Sequence, residues 1–178
     1  LWGILAQSIP DIDFVASLWL PTADNLLAHR GFTHSILFSI IITPFIAGLA
    51  YRLHRPHNIS FGKWCAFIGS AVLMHIFIDA FNNYGVGWFE PFSQQRISFN
   101  SIYVADPFFS IFPGVALLIL LMYKKHNLFR QWVWRLGLLL PALYLMYGLG
   151  NKWYINRETK NILAAENVSY KRMLATPA

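Results

Sequence analysis

Charge is scarce in this chain. Of its 178 residues 12% are Asp, Glu, Lys or Arg and 56% are hydrophobic, whereas soluble domains run near ~25% charged. That composition argues against an ordinary soluble globule and suits a membrane protein. Cysteine is almost missing: with Cys65 alone, no internal disulfide can form, and the compartment cannot be read from the thiols. Also lacking are a glycine loop able to cradle phosphate, a Ser-His-Asp or Cys-His arrangement in a credible setting, internal repeats and low-complexity runs. The chain does not open on Met or on a signal-like segment. Leu1 and the final Thr176-Pro177-Ala178 therefore read as cuts within a longer protein.

Long apolar runs are what the chain has instead. Residues 35–51, 64–78, 107–123 and 136–151 carry no Asp, Glu, Lys or Arg. Each is at or just below the ~17–25 residues of a spanning helix, and none has a polar face. The expected fold is all-α: a membrane bundle of about four transmembrane helices, preceded by a partial helix in residues 1–9 that ends at Pro10. The competing reading is four buried helices of a soluble α-protein. Seven Trp, eight Tyr and fifteen Phe suit an interfacial aromatic belt. Residues 1–151 read as the membrane domain. Residues 152–178 read as a more soluble tail, helical over 156–174, that starts a further region.

The net charge of +6 would fit a nucleic-acid binder, but the charges are sorted by loop. Arg52, Arg55 and Lys63 lie between the first two runs; Lys124, Lys125, Arg130 and Arg135 lie between the last two. Asp11, Asp13, Asp24, Asp79, Glu90 and Asp106 fall in the other connections, with only Arg30 and Arg96 as bases. By the positive-inside rule the basic loops are cytoplasmic, so the acidic side faces outward and direct nucleic-acid binding is not expected. His54, His57 and His126 lie in the basic loops and read as solvated.

The acidic side also carries the chemistry. His75 and Asp79 are four apart in an apolar helix, hence side by side on one face, where an ionisable pair needs compensation. Asp11 and Asp13 follow Pro10; the plain alternative is a capping pair. His29 and His34 are five apart, which suits a turn at Arg30-Gly31 with His34 in the first helical turn and Thr33 or Ser35 as N-cap; the alternative is two unrelated surface histidines. Asp106 before Pro107 is a further ligand or an N-cap. Imidazole with carboxylate suits zinc, manganese or iron, and the carboxylates can bridge two ions. Arg30 and Asp13 are the candidate catalytic residues, Arg30 binding a phosphate oxygen if it is not a snorkelling interfacial arginine. The loop over residues 81–106 would cover the site.

Pro10-Asp11-x-Asp13, His29-Arg30-Gly31-x-Thr33-His34-Ser35, His75-x-x-x-Asp79 and Asp106-Pro107 within spanning helices closely resemble the LexA-binding, inner-membrane-associated metal-dependent hydrolases (YdjM-like). The resemblance runs to about residue 151. That family is grouped distantly with zinc-dependent phospholipase C and P1 nuclease. The resemblance implies a bacterial inner-membrane, multi-pass protein with an outward-facing site of one to three ions, held by Asp11, His29, His34, His75 and Asp79. Members begin with an Asp-x-x-Thr-His segment that this sequence does not include, which implies one His ligand beyond it. The expected activity is hydrolysis of a phosphoester, on a small molecule, a membrane lipid or a lipid-linked head group, by metal-activated water. Against it stand a membrane scaffold with a regulatory protein partner, in which the cluster is structural, and an ion transporter, for which Ser39, Thr43 and Ser70 are few polar residues.

Overall fold

The computed structural model describes residues 1–21, 29–54, 58–123 and 128–176. Asp24, Arg55, His57, Lys124, Lys125 and His126 lie outside them. Among the described residues the protein is all-helical, with Val86 and Ile97 forming an isolated antiparallel bridge. The chain divides into two compact units, Leu1–Ala80 with Tyr84–Ser98, and Phe81–Asn83 with Phe99–Ala178.

In the first unit, helix α1 spans Trp2–Ser8 and gives way to a 3-10 segment, Pro10–Leu18. Proline has no N–H to extend the α-helical ladder, and the buried Pro10 marks the change. A short 3-10 turn, Phe32–His34, precedes α2, Ile36–Leu53. The Ser35 hydroxyl caps α2 by accepting from Phe38 N at 3.0 Å, a side-chain acceptor for an otherwise orphaned donor. His34 therefore sits just before the cap, not in the first turn of the helix. Helix α3, Phe61–Asp79, is capped by Ser60, which accepts from Lys63 N. Ala6, Ile46, Ala47, Ala50, Trp64, Ile68 and Val72 form the shared core of α1, α2 and α3.

In the second unit, Asp106 accepts from Phe108 N and Phe109 N to cap α4, Pro107–Met122, and Pro107 takes the first position, where no N–H is needed. Helix α5 is Phe129–Ala165. A Cβ on Gly137 would stand 2.5 Å from Ala116 Cβ, so only glycine lets these helices approach as they do, the small-residue contact common between membrane helices. The helix predicted to end near residue 151 runs unbroken to Ala165, because nothing in Lys152-Trp153-Tyr154-Ile155-Asn156 disfavours a helix. It ends where Asn167 turns left-handed at φ 56°, a common helix stop. The predicted helix over 156–174 thus stops early.

Helices α2, α3 and α5 are long and apolar enough to cross a membrane, and α4, at 16 residues, is a shorter apolar helix. Their outer faces carry exposed Ile40, Phe45, Leu118 and Leu138, as expected where acyl chains and not water are the solvent.

Candidate metal centre

The first unit brings three separate stretches of chain together. The 3-10 segment supplies Asp11 and Asp13, the turn before α2 supplies His29, Arg30 and His34, and the last turn of α3 supplies His75 and Asp79. His34 Nε2 lies 3.4 Å from Asp11 Oδ1 and 3.3 Å from Asp79 Oδ2. His75 Nε2 lies 3.4 Å from Asp11 Oδ1 and 3.7 Å from Asp79 Oδ2. Both Nε2 atoms are buried and neither makes a hydrogen bond. The separations are longer than good hydrogen bonds. They match a different geometry: four donors at tetrahedral zinc bond lengths of ~2.0–2.1 Å sit ~3.3–3.4 Å from one another. The donor set of two imidazoles and two carboxylates suits a divalent transition ion, so the residues fit the group. A second cluster, Asp11, Asp13 and His29, also gathers donors close enough to share an ion.

Asp13 organises the surrounding bonds. Its Oδ1 lies 2.9 Å from His29 Nδ1, and its Oδ2 accepts from Arg30 N and Thr33 Oγ1, each at 2.8 Å. His34 Nδ1 faces the same Oδ2 at 3.4 Å and Thr33 Oγ1 at 3.2 Å. A carboxylate on the far nitrogen of a ligating histidine fixes its tautomer and ring orientation. The ring centroids of His34 lie 5.4 Å from those of His75 and 6.0 Å from those of His29, so the three imidazoles share one neighbourhood.

The electrostatics follow from this crowding. Burial would lower the pKa of His34, but the facing Asp11, Asp13 and Asp79 carboxylates outweigh it and push it up to about 10. His34 and His75 hold the Asp11 carboxyl well below the usual range. Burial raises Asp13, yet bonds from His34, the Arg30 amide, Thr33 and His29 bring it down to about 2.

Arg30 is 8% exposed and has a left-handed backbone, φ 62°, a conformation costing roughly 1–3 kcal/mol in a non-glycine residue. Its Nε lies 3.5 Å from Asp79 Oδ2 and its guanidinium carbon 5.7 Å from the Tyr84 ring centroid. Nε and Nη1 are buried without hydrogen-bond partners. Of the predicted covering loop, Tyr84–Ser98 packs in this unit: Gly87 N donates to Arg30 O, Ile36 N to Trp88 O, and Trp88 Nε1 to Ile76 O. Asp106 belongs to the other unit, where it caps α4 and accepts from Tyr144 Oη at 2.9 Å. It is in neither ligand cluster, since its oxygens serve a helix start and a tyrosine. Arg96 Nη1 donates to the carbonyls of His29 and Arg30; the one signal of this tie in the sequence is a second base in an otherwise acidic set of loops.

Apolar helices long enough to span a bilayer, with a partly buried His/Asp cluster at the neighbouring free ends of two of them, define a helical membrane protein with a possible metal site. The chain belongs to the YdjM inner membrane protein family, whose model matches residues 1–154. It is 38% identical over 111 residues to the uncharacterized protein YfhP of Bacillus subtilis, covering 61% of this chain and 32% of that protein. It is 29% identical over 96 residues to the inner membrane protein YbcI of Escherichia coli, covering 53% of this chain and 54% of that protein. The chain thus spans about a third and about half of these relatives. No solved structure matches it.

Proposed function

We propose that the chain is the membrane-embedded part of a metal-dependent hydrolase acting on a phosphoester, the head group of a lipid or lipid-linked molecule. The observation that carries this reading is the pair of buried Nε2 atoms of His34 and His75, which make no hydrogen bond and face Asp11 and Asp79 oxygens at 3.3–3.7 Å, beside an Arg30 guanidinium whose Nε faces Asp79 at 3.5 Å and whose Nη1 makes no hydrogen bond. Asp11, His34, His75 and Asp79 would hold a divalent ion, zinc first, manganese or iron next. Asp11, Asp13 and His29 are where a second would lie. Such an ion, when bound, polarises a phosphoryl oxygen and makes water acidic enough to act as a nucleophile near neutral pH. Asp13 orients His29 and His34. Arg30 offers Nη1, which makes no hydrogen bond, to an anionic substrate oxygen, a charge-assisted contact. Arg52 and Lys63 lie at the ends of α2 and α3 opposite the site, which supports a non-cytoplasmic position for it.

A scaffold or regulatory role, with the cluster only bracing helices, would draw those imidazole nitrogens into close hydrogen bonds with the facing carboxylates; separations of 3.3–3.7 Å favour ligation. The test is hydrolysis of bis(4-nitrophenyl) phosphate and of phospholipid vesicles by the protein in detergent. Turnover is expected to vanish with a chelator, return with zinc, and fall to background in His34→Ala with the fold retained. A zinc-loaded protein inactive on every phosphoester tried would sink the hydrolase reading.

A further inference from the structure

We infer that Arg96 sets the anion-binding pose of Arg30, as a positioning residue for the substrate's phosphoryl group that acts through the backbone turn of His29 and Arg30. The inference rests on the function proposed above. Arg96 Nη1 donates to Arg30 O at 2.7 Å and to His29 O at 3.1 Å. Gly87 N donates to the same Arg30 carbonyl at 2.9 Å, and on the other side the Arg30 amide donates to Asp13 Oδ2 at 2.8 Å. The left-handed Arg30 is therefore clamped at both its amide and its carbonyl. A residue so strained keeps its conformation only where its surroundings over-determine it.

The clamp has a directional consequence. With the backbone fixed, the guanidinium leaves along one path, over Tyr84 toward Asp79, and its buried Nε and Nη1 remain free of hydrogen bonds. Arg96 is itself steadied: Ile97 pairs with Val86 through two bonds of 2.9 Å, and Arg96 Nη2 lies 3.8 Å from Glu90 Oε1. The ligands of the four-residue ion cluster stand on other supports, namely the 3-10 segment for Asp11, the Phe32–His34 turn for His34, and α3 for His75 and Asp79. Loosening the clamp should therefore disturb anion capture while leaving ion capture at that cluster intact. Lysine would keep the charge but lose the planar guanidinium whose Nη1 donates to both carbonyls while Nη2 faces Glu90.

The experiment uses the full chain in detergent with two probes, zinc by chelator competition and inorganic phosphate by calorimetry on the zinc-loaded protein. Arg96→Gln is expected to weaken phosphate binding by about tenfold to a hundredfold, since small misplacements of a positioned group cost that much. Zinc affinity and the thermal transition should stay near wild type. Arg96→Lys should fall between. Arg30→Gln should weaken phosphate binding as much as the double variant does, because the two residues act as one unit. Wild-type phosphate affinity in Arg96→Gln, parallel loss of zinc and fold, or additive single and double variants would each overturn the inference while leaving the hydrolase reading in place. A wild-type protein that takes up zinc but no phosphate would overturn this inference together with the role given to Arg30. A wild-type protein that takes up no zinc removes the hydrolase reading itself.

Discussion

His34 is the side chain on which the cluster closes, with Asp13 and Thr33 on one ring nitrogen and Asp11 and Asp79 on the other. Asp13→Asn should leave the four ligand atoms in place yet weaken zinc binding about 10–100-fold, the usual effect of removing the partner that orients a ligating histidine; chelator competition measures it. Protonation gives a second prediction. His34, raised to about 10, carries a proton at neutral pH in the ion-free protein, whereas Asp11 and Asp13, both lowered, are already ionised. Zinc takes neutral imidazole, so binding should release about one proton near pH 7 and tighten as pH rises. Calorimetry in buffers of different ionisation enthalpy would show this, and zinc binding without proton release would contradict it. At this scale His75 and Asp79 were legible, because four-residue spacing alone puts them on one helical face. The motif around His29 and His34 marked the second set. The left-handed Arg30 and its Arg96 clamp were not legible: they depend on contacts 66 and 67 residues apart, which no local pattern encodes.

The elements separate structural from chemical roles. Gly85 has φ 69°, and a Cβ there would stand 2.9 Å from Ile97 O. Gly85→Ala should destabilise the loop bearing Trp88 and Arg96 by about 1–3 kcal/mol, seen as faster proteolysis within Tyr84–Ser98 before any change in the helices. Asp106→Ala removes the α4 cap and should cost about 1 kcal/mol with zinc content unchanged; loss of zinc would restore Asp106 as a ligand. The spans were readable because charge-free apolar runs leave few alternatives. Their ends were less so. The α2 start was fixed by the Ser35 hydroxyl, one of two equally suitable cap residues, and the long continuation of α5 came from the absence of any residue able to stop it.

For the whole molecule, membership of an inner membrane family and four apolar helices agree with the composition. What the sequence could not show is which donors share an ion, because convergence of Asp11, His34, His75 and Asp79 is a property of the packed 3-10 segment, turn and helix together. That convergence is the central claim, and metal content tests it most directly. The full chain, purified in detergent without chelator and grown with trace metals, should carry at least one zinc, manganese or iron per chain by elemental analysis. His34→Ala with His75→Ala should lose it while keeping the helical content of the wild type. A folded wild-type protein with only trace metal, or a double variant as metal-rich as the wild type, would contradict the account.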